Sequence, residues 1–584
     1  MALTQLTKEE ILERAKVWTK APYSKECIDE ISGLIAAGDD KELAERFSLD
    51  LDFGTGGMRG LIRFGTNGMN VYTVAKATQG LANYVLNQKG VEMPPKAAIA
   101  FDSRNFSRDF AKEAATVLAT NGIKTYLFDD IRPTPELSFT VRELGCITGI
   151  VITASHNPKE YNGYKVYWND GSQVITPHDK GIITEVKKIA AIEDVKKGNY
   201  DELIKDGMIE IIGSAIDKRF MEEVDKVLIN KELPKTSDIK IVYTPLHGTG
   251  AKLIPAALKE IGYKNVYFVE PQMIPDGNFS TVASPNPEEP VALEMGTKIL
   301  KEQKADILIA TDPDADRTGI VIRDNDGNTQ IVTGNQIGAI LEYYILSARK
   351  AAGKMPPNPA VVKTVVTTNL QDEIAKSFGA TPFNVLTGFK FIAQKIRNFE
   401  ADKNYNYVFG CEESYGYLPG TYARDKDSIA SALLLSECAA YLKSKGLVFA
   451  DYLEEIFQRY GYYYDKTKSI TIKGLAGMAK IAEIMKYFRD NPLSQVGGID
   501  VAKRLDFQND TIYDCKDNVY ALPPSNVIQY QLADGSKVTM RPSGTEPKIK
   551  IYFSTKGKTM AEAQAIAEKC QDTILPVIDK LIGE

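Results

Sequence analysis

Residues 96–128 read KAAIAFDSRNFSRDFAKEAATVLATNGIKTYLF. The apolar run Ala97-Ala98-Ile99-Ala100-Phe101 gives way to a polar loop and a helical stretch, and Gly122 then opens a second β-rich run to Phe128. Strand, loop, helix and strand in this order form a βαβ unit, in which the helix carries the chain back so that the strands lie parallel. The order recurs at 239–269, where Ile239 to Tyr243 leads through the loop Pro245–Gly250 and a helix to Gly262–Val269. It recurs again at 360–386, from Val361–Val366 to Phe383–Leu386. Three copies predict three related α/β domains in tandem, with mainly parallel mixed sheets.

The texture changes after about residue 460. A Tyr-rich run (Tyr460, Tyr462, Tyr463, Tyr464) and a strand at Ser469–Ile472 precede a helix from Ala476 to Phe488. Strands follow near Val527–Leu532, Lys537–Arg541 and Lys548–Phe553, and a helix runs from Ala561 to about Ile582. This reads as a smaller α+β domain. The expected boundaries are 1–207, 208–328, 329–459 and 460–584. With no long linker or low-complexity segment, the four are expected to surround a central cleft. At the other end, Thr7-Lys8-Glu9-Glu10 fits a capping box that starts a helix.

A chain of 584 residues exceeds one hydrophobic core. Its formal charge of −6, without blocks of like charge, gives no basis for nucleic-acid binding. No apolar run approaches the roughly 20 residues that span a bilayer, and Met-Ala-Leu-Thr-Gln lacks the core of a secretory signal. Six cysteines without a CxxC pair, and three histidines, argue against a disulfide scaffold and against zinc. A cytoplasmic enzyme is the expectation.

Four segments carry chemistry. In Gly149-Ile-Val-Ile-Thr-Ala-Ser155-His156-Asn157-Pro158 an apolar strand ends in small polar residues. Ligands bind at such strand ends in open α/β sheets, and an activated hydroxyl there is a nucleophile. The residues are also turn formers, but Lys165 brings a cation close in sequence. In Ile307-Leu-Ile-Ala-Thr-Asp312-Pro-Asp314-Ala-Asp316-Arg317, three carboxylates at alternate positions suit an oxygen-ligated cation such as Mg²⁺. An EF-hand reading fails, because Arg317 and Arg323 stand where Gly and Glu are required. Arg541-Pro542-Ser543-Gly544-Thr545-Glu546-Pro547-Lys548 sets a guanidinium, hydroxyls and an ammonium in one short loop, a phosphate cradle. Gly410-Cys411-Glu412-Glu413-Ser414 either holds sugar hydroxyls or caps a helix. Phe53–Gly60 is no GxGxxG and Thr244–Gly250 no P-loop. His178 and His247 receive no role.

Taken in chain order, the segments resemble the α-D-phosphohexomutase superfamily over nearly the whole chain. Thr153–Pro158 looks like its phosphoserine loop and Glu412–Ser414 like its sugar-binding loop. Arg541–Thr545 looks like its phosphate-binding loop. Asp312–Arg317 looks like its metal loop, with Pro313 and Ala315 in place of glycines. The resemblance implies four domains around a cleft and a two-step transfer of a phosphoryl group. Ser155 would be the carrier and, with Asp312, Asp314 and Asp316, would hold one Mg²⁺. It also implies that Arg317, Glu412, Ser414, Arg541, Ser543, Gly544, Thr545 and Lys548 bind substrate. Lys165, Arg59, Lys390 and, more weakly, His156 are the candidates for proton transfer and substrate contact.

Phe53–Arg59, Thr244–Gly250 and Thr387-Gly388-Phe389-Lys390 look like one branch of the superfamily. That branch contains bacterial α-phosphoglucomutases and animal phosphopentomutases or glucose 1,6-bisphosphate synthases. Lys390 points to glucose over mannose. The implied activity interconverts glucose 1-phosphate and glucose 6-phosphate through glucose 1,6-bisphosphate, with sugar phosphates as partners of a monomer or homodimer. Competing readings are a phosphopentomutase or phosphomannomutase, a haloacid-dehalogenase-type phosphatase using Asp312, and a non-catalytic sugar-phosphate binder.

Overall fold

The structure, a computed structural model, describes residues 6–54, 56–90, 93–472, 477–516, 519–543 and 547–583. The chain divides into two compact units.

The first unit comprises residues up to Leu228, Asp238–Val321 and Thr421–Leu433. It opens with helices Lys8–Val17, Lys25–Ala37 and Asp40–Phe47. The capping box forms: Thr7 Oγ1 accepts the Glu10 N–H at 3.2 Å and the Glu10 carboxylate accepts the Thr7 N–H at 2.7 Å. An aromatic cluster of Trp18, Tyr23, Phe47 and Tyr72 holds these helices.

A six-stranded sheet follows, in the order Gly57–Leu61, Tyr161–Trp168, Thr148–Ile152, Lys96–Phe101, Lys124–Phe128, Ile209–Ile212. Its middle is parallel: Lys96–Phe101 lies between Lys124–Phe128 and Thr148–Ile152, as the βαβ reading requires. Tyr161–Trp168 and Gly57–Leu61 extend it antiparallel. The strand Thr148–Ile152 is buried throughout and three residues beyond it stands Ser155. In this unit's second sheet, Lys240–Thr244 is flanked in parallel by Asn265–Phe268 and Ile307–Thr311. Thr311 leads directly into Asp312, so both chemical loops leave carboxyl ends of parallel strands.

The second unit comprises Ile229–Ser237, Ile322–Gly420 and the chain from Leu434. One sheet orders Thr381–Val385, Pro359–Thr364, Asn406–Glu412 and Gly416–Leu418. The first three are parallel and the last turns back as a hairpin. The other sheet is antiparallel throughout, in the order Tyr462–Thr471, Lys548–Gly557, Lys537–Pro542, Ile528–Leu532, Ile499–Asp506, Gln495–Val496. Helices Gly477–Asp490 and Met560–Ile582 bury Ile481, Ile484, Phe488, Ile574 and Ile578 against it. Each such side chain contributes about 1.5–3 kcal/mol. The Tyr-rich run is therefore the start of a ten-residue strand rather than a prelude to one at Ser469–Ile472. The two sheets of this unit meet through Val365, Leu386, Phe507, Val527 and Tyr552. No described helix is long and apolar enough to cross a membrane.

Candidate functional site

In the first unit, Ser155 Oγ donates to Asp312 Oδ2 at 2.7 Å. The serine is buried and held at φ +53°, a left-handed conformation that costs a non-glycine residue roughly 1–2 kcal/mol. Thr153 Oγ1 steadies it by accepting the Ser155 N–H at 2.8 Å. Beside it, His156 Nδ1 lies 3.3 Å from Ser155 Oγ, and Arg59 donates to Asn157 Oδ1 at 3.1 Å. Burial, then the nearby Arg317 and Arg59 cations, push the His156 imidazole well below its ordinary range, so it is neutral.

Asp312, Asp314 and Asp316 are buried, and each offers an oxygen within 4.8 Å of the others'. Their loop is shaped by its backbone. Asp312 Oδ1 accepts the N–H groups of Asp316 (3.1 Å) and Arg317 (2.9 Å), and the intervening Ala315 sits at φ +49°. A glycine would take that conformation without strain; the alanine is tolerated because the Asp312 carbonyl accepts its N–H at 2.9 Å.

The motif Thr244–Gly250 lies beneath this loop. Thr249 N–H donates to the Pro313 carbonyl at 2.8 Å, and Gly248 presses against Pro313 so closely that a Cβ would stand 2.3 Å from its Cα. His247 is tied to the Ile274 carbonyl and the Thr281 hydroxyl, and His178 is stacked on Trp168.

Three carboxylates this close repel, and lysines offset them. Lys165 Nζ lies 2.7 Å from Asp314 Oδ2 and 3.5 Å from Asp316 Oδ2. Burial opposes its charge, yet Asp314 and Asp316 outweigh burial and raise its affinity for a proton. For Asp314, burial is likewise overridden, chiefly by Lys165, which holds the carboxyl below its usual range. Asp312 goes the other way: burial, then Asp314 and Asp316, push it well above. Asp314 Oδ1 and Asp316 Oδ1 remain buried with no hydrogen-bond partner. Orphaned anionic oxygens converging from all-oxygen donors fit a hard divalent cation.

Sequence reasoning missed three participants. Lys426 Nζ lies 3.2 Å from both Asp316 Oδ2 and Asp425 Oδ1, and Tyr167 donates to Asp425 at 2.7 Å. Arg104 grips the serine loop through its carbonyls, and Thr134 bonds Asp314. A lysine between two aspartates at 425–427 was the one available signal. Arg317, a predicted substrate contact, is paired with Glu288 at 2.5 Å.

The remaining candidates belong to the second unit. Glu412 ends the strand Asn406–Glu412 and accepts the Gly388 N–H at 2.9 Å, which brings it to the loop Thr387–Lys390. Glu413 Oε2 is turned instead to the hydroxyls of Thr364 and Thr367, both at 3.2 Å. Ser414 is half-buried in the turn that follows, and Lys390 opens the helix Phe389–Asp402 with its ammonium 5.6 Å from the Phe391 ring centre. Burial, then the charge of Glu413, raises the Tyr552 phenol above its ordinary range, and the Arg541 cation opposes this. Ser543 N–H donates to the Lys548 carbonyl at 2.7 Å, at the ends of the antiparallel strands Lys537–Pro542 and Lys548–Gly557. Gly544 and Thr545 lie outside the described residues.

Family models of the phosphoglucomutase/phosphomannomutase α/β/α domains match in order: domain I at residues 50–193, domain II at 218–327 and domain III at 333–460. A phosphoglucomutase of Staphylococcus epidermidis is 37% identical over 544 residues, covering 91% of this chain and 95% of that one. One of Staphylococcus aureus is 39% identical over 525 residues, covering 88% and 92%. Among solved structures, the Paramecium phosphoglucomutase parafusin in its open form matches with a TM-score of 0.67 at 18% identity, over 91% of this chain and 96% of that one. A phosphoglucomutase/phosphomannomutase family protein of Burkholderia thailandensis matches with 0.66 at 17% identity, over 91% and 97%. These two likenesses concern the fold.

Proposed function

Because the chain belongs to the phosphoglucomutase/phosphomannomutase family, we propose that it is a phosphoglucomutase interconverting glucose 1-phosphate and glucose 6-phosphate. Ser155 carries the phosphoryl group and glucose 1,6-bisphosphate is the intermediate. The observation that carries this reading is the 2.7 Å hydrogen bond from Ser155 Oγ to Asp312, which seats a nucleophilic hydroxyl on a buried carboxylate trio. A phosphatase that used Asp312 as nucleophile gives that serine nothing to do.

The division of labour follows from chemistry. Phosphorus leaves Ser155 Oγ as a sugar hydroxyl oxygen bonds to it; the hydroxyl loses its proton and Ser155 Oγ ends protonated. The bisphosphate then turns about and returns its other phosphoryl group to Ser155. Asp312, Asp314 and Asp316 would hold Mg²⁺ beside Ser155, where the ion neutralises charge on the transferred group. Lys165 keeps its proton at Nζ beside Asp314, where it adds positive charge, and His156, neutral at 3.3 Å from Ser155 Oγ, is placed to exchange a proton with the serine oxygen. Arg59 and Arg317 add positive charge for phosphate.

In the second unit, Glu412 and Ser414 take the sugar hydroxyls, with Lys390 favouring glucose. Arg541, Ser543, Gly544, Thr545 and Lys548 take the phosphate that is not reacting. Four domains, at 1–207, 208–328, 329–459 and 460–584, remain the reading of the chain; the four sheets support it. Six buried free cysteines suit a cytoplasmic enzyme.

The test is conversion of glucose 1-phosphate with Mg²⁺ and a trace of glucose 1,6-bisphosphate, with ribose 1-phosphate and mannose 1-phosphate in parallel. Fast glucose turnover that EDTA stops is expected. A preference for ribose 1-phosphate would move the assignment to phosphopentomutase, and phosphate release without mutase turnover would overturn it.

A further inference from the structure

Asp314 is held from outside its own loop. Thr134 is fully buried at the first position of the helix Thr134–Glu143. Its backbone N–H donates to the Asp314 carbonyl at 2.9 Å and its hydroxyl donates to Asp314 Oδ2, also at 2.9 Å. Lys165 Nζ donates to the same Oδ2 at 2.7 Å. One carboxylate oxygen of Asp314 therefore has two donors, while Oδ1 is buried with no partner.

Thr134 is itself fixed. Pro133 and Pro135 restrict the backbone on either side. The buried Arg132 before it pairs with Asp217 at 2.6 Å and Asp129 at 3.0 Å. The Thr134 hydroxyl makes no cap to its own helix, whose N-cap is Pro133 with no side-chain bond. Its recorded work is on Asp314.

We propose that Thr134 is a positioning residue that confines Asp314 to coordination through one oxygen and so tunes the site to Mg²⁺ over Ca²⁺. Mg²⁺ demands a compact octahedral shell, whereas Ca²⁺ accepts six to eight oxygens in flexible arrangements that include carboxylates bound through both oxygens. A carboxylate with one oxygen already engaged suits the smaller ion. Removing the hydroxyl leaves Oδ2 with Lys165 alone of its two donors, so the carboxylate can rotate and bring both oxygens toward the cation. The inference rests on the metal reading of Asp312, Asp314 and Asp316.

The experiment is calorimetric titration of the full chain with Mg²⁺ and with Ca²⁺, for the wild type, Thr134→Val, Thr134→Ser and Asp314→Asn. Thr134→Val, nearly the same shape without the hydroxyl, is expected to weaken Mg²⁺ binding by about 10–100-fold. Ca²⁺ binding should weaken less, so the preference for Mg²⁺ falls by about tenfold or more, while Thr134→Ser restores it. A packing role alone would lower the melting temperature and leave the ratio of affinities in place, and that result overturns the inference. Thr134→Ala gives the same readout should the valine variant not fold. If the wild type binds neither ion, or Asp314→Asn binds both as well as wild type, the metal reading fails and the inference falls with it. An unchanged ratio in Thr134→Val, with binding lost in Asp314→Asn, overturns the inference alone.

Discussion

The guanidinium of Arg104 donates to the carbonyl oxygen of Ser155 at 2.6 Å, reaching it from 51 residues earlier in the chain. The same group donates to the carbonyls of Pro158 at 2.9 Å, Tyr161 at 3.0 Å and Asn157. Asp102 holds it from behind: its Oδ2 lies 3.3 Å from Arg104 Nε, and its Oδ1 accepts the Arg104 N–H at 2.9 Å. One planar fork thus fixes a loop that carries Ser155 in a strained conformation.

Arg104→Lys should therefore be costly although charge is kept. An ammonium offers three donors on one atom and does not reproduce a fork that spans four carbonyls. A displacement of Ser155 by about 1 Å lowers turnover on the order of 100-fold. The expected result is a fall of about 10–100-fold in kcat with little change in KM, since the contacts are to backbone rather than substrate. Steady-state kinetics on glucose 1-phosphate decides it: a wild-type kcat would show that the loop needs no such clamp.

Ser155→Ala removes the proposed phosphoryl carrier while leaving the cradle intact. Mutase turnover should fall by about 10³-fold or more, the residue coming from binding and positioning alone. Intact-mass measurement should find a phosphoryl adduct on fresh wild-type protein and none on the variant. Retained turnover in the variant would hand the chemistry to another residue, with Asp312 first in line.

The parts of this site that were legible in the sequence are those whose residues do chemistry beside their own chain neighbours. Ser155 and Asp312 each follow an apolar strand, and the alternating aspartates have no structural use for so much charge. Arg104 and Thr134 were illegible for a common reason. Each acts on a partner remote in sequence, as Thr134 does on Asp314 across 180 residues, and Arg104 grips the serine loop through backbone carbonyls, which leaves no trace in the identity of the residues gripped. The Tyr-rich run misled because aromatic residues at consecutive positions obscure the alternation of a strand. The register of Tyr462–Thr471 against Lys548–Gly557 supplies what the pattern hid.

Asp427 gives a prediction in pH. Its carboxylate is buried and accepts the N–H of Ile429 at 2.7 Å and of Ala430 at 3.2 Å, together with the Tyr422 hydroxyl. Burial, only partly offset by these donors, raises it from 3.8 to about 6. Below pH 3.8 both folded and unfolded chains carry the proton and nothing is lost. Between 3.8 and 6 the unfolded carboxyl ionises first, so stability falls as pH rises, by about 3 kcal/mol in all. Asp427→Asn keeps the acceptor for both N–H groups and removes the charge. Its melting temperature should exceed that of wild type above pH 6, with the gap shrinking toward pH 4. A gap independent of pH would refute the assignment.

Gly248 tests how the motif Thr244–Gly250 serves the metal loop. A Cβ there would meet Pro313 Cα at 2.3 Å and its carbonyl oxygen at 2.6 Å, and both are backbone atoms that cannot swing aside. Gly248→Ala must therefore push Pro313, and with it the flanking Asp312 and Asp314, or break the bond from Thr249 N–H to the Pro313 carbonyl. Overpacking of this kind costs about 1–3 kcal/mol. Thermal melts should record that loss, and Mg²⁺ titration should record weaker binding in the same variant, because two of the three carboxylates move with the proline. A variant that melts lower yet binds Mg²⁺ as wild type would mean that the strain is absorbed by Thr244–Gly250 and that this motif supports the fold without setting the loop.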